Sequence, residues 1–153
     1  GLRLALKALN PSVDVRISAA VGDAQFRAKE VKTGTGEAFV LSGRGLDDIK
    51  PYPLAFHTSH QALENSTQLI TRFADAHLTG LTPTQSQTLL AYIEASDKSH
   101  ENVAAILNKN RSNVSRILNA SNYKLVAEYL SYMEQEINVW KLGHRPLSNT
   151  PVK

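Results

Sequence analysis

Hydrophobic positions recur along this chain with two different periods, and the change of period divides it. "GLRLALKAL" sets Leu2, Leu6 and Leu9 on one side of a helix, with Arg3 and Lys7 elsewhere. "VRISAAVGDAQF", Val15 to Phe26, alternates Val15, Ile17, Ala19 and Val21 with Arg16, Ser18 and Ala20, which is the period of a strand. "KTGTGEAF" leads into a helix from about Gly36 to Asp48, and "PLAFHT", Pro53 to Thr58, reads as a second short strand. From residue 61 only the helical period remains, with Leu63, Leu69, Ile70, Phe73 and Leu78 as anchors of a helix over 61–80. An α-β-α-β order over 1–60 suggests half of an α+β sandwich. Two strands do not make a stable sheet alone, so this half needs missing strands, a second copy, or cover from the helices that follow.

Turn chemistry sets the remaining boundaries. "HLTGLTPTQ" breaks the pattern near Gly80, and Thr82, Pro83 and Gln85 form a cap, first-turn and capping-box set for the next helix. Leu89, Leu90 and Ile93 line one face of that helix. Ser99 caps a second, which carries Val103, Ala104, Ile106 and Leu107, and a third follows with Val114, Ile117 and Leu118 inward. A final helix from about Asn122 to Trp140 bears a broad stripe of Leu125, Val126, Tyr129, Leu130, Met133, Ile137 and Trp140. The last residues, 141–153, carry two prolines and no periodicity, and read as a loose tail. The expected division is therefore 1–60, a connecting helix over 61–80, an all-α unit over 81–140, and the tail.

The stretch "VAAILNKNRSNVSRIL" has the layout of a helix-turn-helix. Ala104, ten residues before Val114, is small enough to let two helices approach at a crossing. Asn108 stands where the turn requires a left-handed residue; glycine is the usual choice and asparagine the next most tolerant. With Val114, Ile117 and Leu118 buried, the outward face of the third helix, about 111–119, presents Arg111, Ser112, Asn113, Ser115, Arg116 and Asn119. Such side chains suit base edges, with Arg for guanine and Asn for adenine, while Ser and the helix-start amides suit phosphate. Lys109 occupies a position that is commonly apolar in this motif, where it snorkels or reaches a phosphate. Double-stranded DNA is thus the expected partner, with Lys109, Arg111, Ser112, Asn113, Ser115, Arg116 and Asn119 as contacts.

Charge sharpens this. The net charge is a mild +3, but five basic residues and one acid lie between Lys98 and Lys124, a local +4. The chain has no cysteine, which excludes disulfides, thiolate metal sites and cysteine nucleophiles and suits a reducing compartment. No apolar run approaches a membrane span. Gly1 opens within a helical pattern, as expected of a piece cut from a longer protein or carrying a tag remnant.

The stretch "VAAILNKNRSNVSRILNASNY" resembles the C-terminal helix-turn-helix of SatD-family bacterial proteins. "VRISAAVGDAQF", "GEAFVLSGRGLDDIK" and "LAFHT" resemble the second half of that family's N-terminal domain, and the two resemblances together cover about Leu2 to Ile137. The resemblance implies a bacterial, cytoplasmic protein and an N-terminal half similar to the ferredoxin-like nucleotide cyclase fold. The expected fold class is then α+β, a partial cyclase-like α-β-α-β half followed by an all-α helix-turn-helix domain. Cyclase chemistry uses metal-binding carboxylates, which in the family precede Leu2, and an Asn-x-x-x-Arg pair on the helix after the glycine. Arg44 matches that pair, but Val40 stands in the asparagine position and has no hydrogen-bonding group. Catalysis is therefore not expected.

Other candidates are weaker. His57 and His60 lie three apart without a third ligand nearby, so no metal is expected. Asp23 reads as turn chemistry, and Asp47 and Asp48 as a solvated helix end. "GTGEAF" could cradle a phosphate, but Glu37 would repel it. The sequence thus predicts a transcriptional regulator with no cofactor. The alternative is a protein-interaction module, or a degenerate cyclase-like domain sensing a nucleotide. A homodimer is expected because one short recognition helix offers few base contacts. Met133, Ile137 and Trp140, beyond the reach of a three-helix core, are its preferred interface, and an unpaired sheet edge is the second choice.

Overall fold

The computed structural model describes residues 1–10, 12, 15–23, 35–48 and 53–143. In chain order its elements are α1 (Leu2–Leu9), β1 (Ile17–Val21), α2 (Glu37–Asp48), β2 (Leu54–Thr58), α3 (Gln61–Gly80), α4 (Pro83–Glu94), α5 (His100–Ile106), α6 (Arg111–Ala120) and α7 (Tyr123–Gly143). The result is a mixed α and β chain dominated by helix. Among the described residues no helix is long and apolar enough to cross a membrane.

β1 and β2 pair in parallel, Ile17 opposite Leu54 through Val21 opposite Thr58, with α2 as the crossover. Side chains alternate across the sheet, so Ser18, Ala20, Ala55 and His57 share one face. α2 lies so close to that face that a Cβ on Gly45 would overlap Ser18 and the His57 ring. The opposite face brings Val21 and Phe56 onto Leu63 of α3 and Met133 of α7. Helices therefore cover both faces, as parallel sheets require. The small sheet survives by cover from the helical half, one of the three routes open to it. β1 is shorter than Val15 to Phe26: Val15 and Arg16 precede it, Gly22 interrupts it, and 24–26 lie outside the described residues.

α3 is the axis of the molecule, and it is buried along an unexpected line. Leu63, Thr67, Thr71 and Asp75, each four residues after the last, face inward. Leu69 and Phe73, expected as anchors, are instead 62% and 69% exposed. Threonine is admitted because its hydroxyl is satisfied locally, as where Thr67 Oγ1 donates to the Leu63 carbonyl at 2.6 Å. Asp75, 2% exposed, is met by the guanidinium of Arg3 on α1. Arg3 also donates to Thr79 Oγ1 at 2.6 Å, and Lys7 caps the carbonyls of Leu78 and Thr79 at the end of α3. Leu4 then enters a cluster with Leu81, Leu89 and Val126. Thus α1, grouped by sequence with 1–60, packs across Gly80 onto α4.

The final helix corrects a second expectation. Met133 is buried, and Ile137 and Trp140 pack with it against Phe56 and Leu63. They lie beyond the three-helix core, but the sheet and α3 take them up. They do not form the outward surface on which the preferred dimer interface was placed. Leu125 and Leu130 of the same stripe are exposed.

The Arg3–Asp75 pair makes a direct test. Asp75→Ala leaves a buried guanidinium unpaired and should cost about 3–5 kcal/mol in urea unfolding, while Arg3→Met with Asp75→Leu should recover most of that loss. Equal losses in the single and double variants would mean that the two groups do not act as a pair.

Candidate nucleic-acid interface

The site is built from short helices with well-defined ends. Thr82 Oγ1 accepts from the Gln85 amide at 3.2 Å and Gln85 Oε1 accepts from the Thr82 amide at 2.8 Å, the expected capping box of α4. Lys98 closes the other end of α4, donating to the carbonyls of Tyr92 and Ile93. Ser99 caps α5 through the Asn102 amide, and Asn110 caps α6 through the Asn113 amide, both at 3.2 Å. Asp97 accepts from Ser99 twice, and these bonds, the backbone N–H foremost and the hydroxyl second, hold its carboxyl below the usual aspartate range.

Between α5 and α6 the chain reverses as expected. Asn108 sits in the left-handed region with φ 50°, and the Lys109 amide donates to the Ala104 carbonyl at 2.9 Å. Ala104 is buried at the crossing with Val103, Val114, Leu118 and Ala95. Ile106, one of the apolar residues this helix carries, is 55% exposed, because it falls past the edge of the arc that Val103, Ala104 and Leu107 define. A second left-handed asparagine, Asn122 with φ 49°, starts α7.

With Val114, Ile117 and Leu118 buried, Arg111, Ser112, Arg116 and Asn119 stand exposed on α6, while Lys109, Asn113 and Ser115 are half-buried. Several of these groups have partners. Arg111 Nε donates to Glu101 Oε2 at 2.8 Å, both side chains being well exposed. Arg116 Nη2 donates to Asn113 Oδ1 at 3.1 Å. Lys109 Nζ reaches Gln87 Oε1 at 3.4 Å, the snorkelling geometry. Ser115 Oγ lies 2.6 Å from His100 Nδ1, and the His100 ring packs edge-on to Tyr123 with centroids 5.3 Å apart. Ser115 is therefore turned toward α5 and lies off the outermost face. Exposed ion pairs of this kind are weak, so Arg111 is held only loosely.

The far end of α6 is also clamped. Gln85 Nε2 donates to the Ala120 carbonyl at 3.0 Å, and His77 Nε2 lies 2.9 Å from the Ser121 carbonyl, an arrangement that makes the ring nitrogen the donor. Sequence reading missed His77, His100 and Gln87, counted Glu101 only as a charge, and gave Gln85 only its capping role. Nothing in the local pattern marks them, since each acts on a residue at least ten positions away.

The remaining candidates do not assemble. Val40 is half exposed and Arg44 exposed on α2. Glu37, in the first turn of α2, lies over Gly22, and Gly34 of "GTGEAF" lies outside the described residues. Asp23 and Asp47 are exposed, and the side chain of Asp48 lies outside the described residues. His57 and His60 are half-buried, and among the described residues no three His, Cys, Asp or Glu side chains gather as metal ligands would. Comparison with protein-family models, with curated proteins and with solved structures gave no match.

Two outcomes follow from the packing and the turn. Ala104→Leu should overfill the crossing at about 1–3 kcal/mol by chemical unfolding; a fully stable variant would place the crossing elsewhere. The stabilisation from Asp97 is present above the ordinary aspartate pKa and is lost as pH falls through its lowered value. Asp97→Ala should therefore flatten the acid limb of stability against pH.

Proposed function

We propose that this chain is a bacterial DNA-binding protein, a transcriptional regulator that reads double-stranded DNA with α6. The observation that carries the proposal is the exposed row Arg111, Ser112, Arg116 and Asn119 on a helix whose other side is fixed by Val114, Ile117 and Leu118. Bending of the chain at Asn108 and the local charge of +4 between Lys98 and Lys124 support it. Lys109 and Asn113 are the secondary contacts, and Ser115 acts through its bond to His100. The SatD-family resemblance points the same way, to a cytoplasmic protein.

In this proposal residues 1–60 form a cyclase-like half without catalysis. Val40 gives α2 an apolar side chain one turn before Arg44, where a ribose-steadying pair would need a hydrogen bond. A protein-interaction module is the alternative, favoured by the exposed Leu69 and Phe73 on α3.

Mobility shift on random duplex DNA at two salt concentrations separates the two. DNA binding should weaken steeply with salt, because bound phosphates release counterions. No binding at low salt sinks the proposal. Arg116→Ala should cost about 1–3 kcal/mol of binding, while thermal unfolding moves by no more than about 0.5 kcal/mol. Unchanged affinity with intact folding would mean that the wrong face of α6 has been chosen.

A further inference from the structure

The segment from Lys98 to Lys124 carries one acid among five basic residues, and that acid sits on the proposed DNA face. Glu101, in the first turn of α5, accepts a bond from Arg111 Nε through Oε2 at 2.8 Å, across the turn that separates the two helices. The side chains of Arg111 and Glu101 are 63% and 70% exposed. A carboxylate here works against phosphate attraction, so its place beside the first residue of α6 calls for another role.

The hydrogen-bonding groups around it define that role. A guanidinium has five N–H donors in a planar fork. Glu101 takes the one on Nε, and among the described residues no other group bonds Arg111. Both terminal nitrogens of Arg111 keep their donors. Nearby amide oxygens are meanwhile spent. Asn110 Oδ1 accepts from the Ser112 hydroxyl at 3.1 Å and from the Asn113 amide at 3.2 Å. Asn113 Oδ1 accepts from Arg116 Nη2 at 3.1 Å. An asparagine reads adenine with its oxygen and its nitrogen together, so in this pairing Asn113 offers only N–H. The first turns of α6 are therefore rich in donors. On the major-groove edge guanine presents two acceptors, O6 and N7, whereas adenine presents one acceptor and one donor. Asn119 keeps both a donor and an acceptor, but it stands about 12 Å further along α6, at a different base step.

We propose that Arg111 reads guanine in the major groove, and that Glu101 is the positioning residue that holds the guanidinium plane while the terminal nitrogens meet O6 and N7. The base contact and the bond to Glu101 use different nitrogens, so one need not break for the other to form. An exposed pair adds little to stability. Its effect is on orientation, which a bidentate base contact demands and a phosphate contact does not. This role for Arg111 rests on the DNA-binding proposal and adds to it the base and the residue that orients its reader.

The whole chain can be tested on a random-sequence duplex pool at low salt, with sequencing of the retained duplexes. Guanine should be enriched at one position. Replacing it there by a deazaguanine that lacks N7 keeps the base pair and should weaken binding about fivefold or more. Arg111→Ala should abolish the enrichment. Glu101→Ala should lower the preference for guanine about two- to fivefold, and Glu101→Gln, which keeps an oxygen acceptor, should fall between it and the wild type. In the Arg111→Ala background, Glu101→Ala should change no base preference. Circular dichroism should be the same for every variant, since both side chains are exposed. Retention without guanine enrichment, or enrichment that survives Arg111→Ala, overturns the inference while DNA binding stands. If Glu101→Ala tightens binding to all duplexes alike and leaves the preference unaltered, Glu101 acts only by repelling phosphate and the positioning role is overturned. No retention of any duplex at low salt sinks the DNA-binding proposal and the guanine reading with it.

Discussion

A carboxylate buried on the inner face of a helix has to be answered by a positive charge, and in this molecule the answer comes from far along the chain. Asp75 is almost wholly inside, and Arg3 reaches it across 72 positions of sequence. That single demand fixes where α1 lies. Once α1 is fixed, Leu4 is delivered to Leu81, Leu89 and Val126, and the helices on both sides of Gly80 share one apolar cluster. The same helix carries Leu63 under the sheet and Leu78 against Leu81 and Leu89, so α3 joins the small parallel sheet to the helices that follow Gly80. Pairs of this kind are poor sources of net stability, but losing one member is costly. They hold an arrangement in place more than they deepen it.

How legible each part was depended on how local its causes are. α4, α5 and the reversal that follows them could be read because their signals are short-range: the capping box at Thr82 and Gln85, the cap at Ser99, the small Ala104 and the left-handed Asn108. α3 could not be read in the same way. A hydrophobic count favours Leu69 and Phe73, whereas the helix turns Thr67, Thr71 and Asp75 inward. Their polarity is cancelled by a carbonyl one turn back, by Tyr129 and by Arg3, and only the first of these is local enough for a periodicity argument to see. Met133, Ile137 and Trp140 failed for a similar reason, because what covers them is a sheet more than seventy residues earlier in the chain. Within the candidate site, the residue types on α6 were legible and their partners were not.

Those partners matter to how the α6 face would work. Arg111 and Glu101, and Arg116 and Asn113, hold one another in solvent, where each bond is readily exchanged. Such pairing keeps long side chains partly ordered before any ligand arrives, which lowers the entropy lost on contact. Ser115 is different. Its bond to His100, itself packed on Tyr123, ties α6 to α5 and α7.

α6 is bounded by two backbone reversals of one kind, Asn108 ahead of it and Asn122 behind. Each is a conformation that most residues resist, so neither end of the helix slides easily along the chain. The segment is in effect a cassette of set length, anchored on three apolar side chains and open on its other side. Its outer residues can be exchanged singly while the frame keeps its position. Lineages of such a chain would be free to rewrite that face and bound to keep the two asparagines, or glycine in their stead.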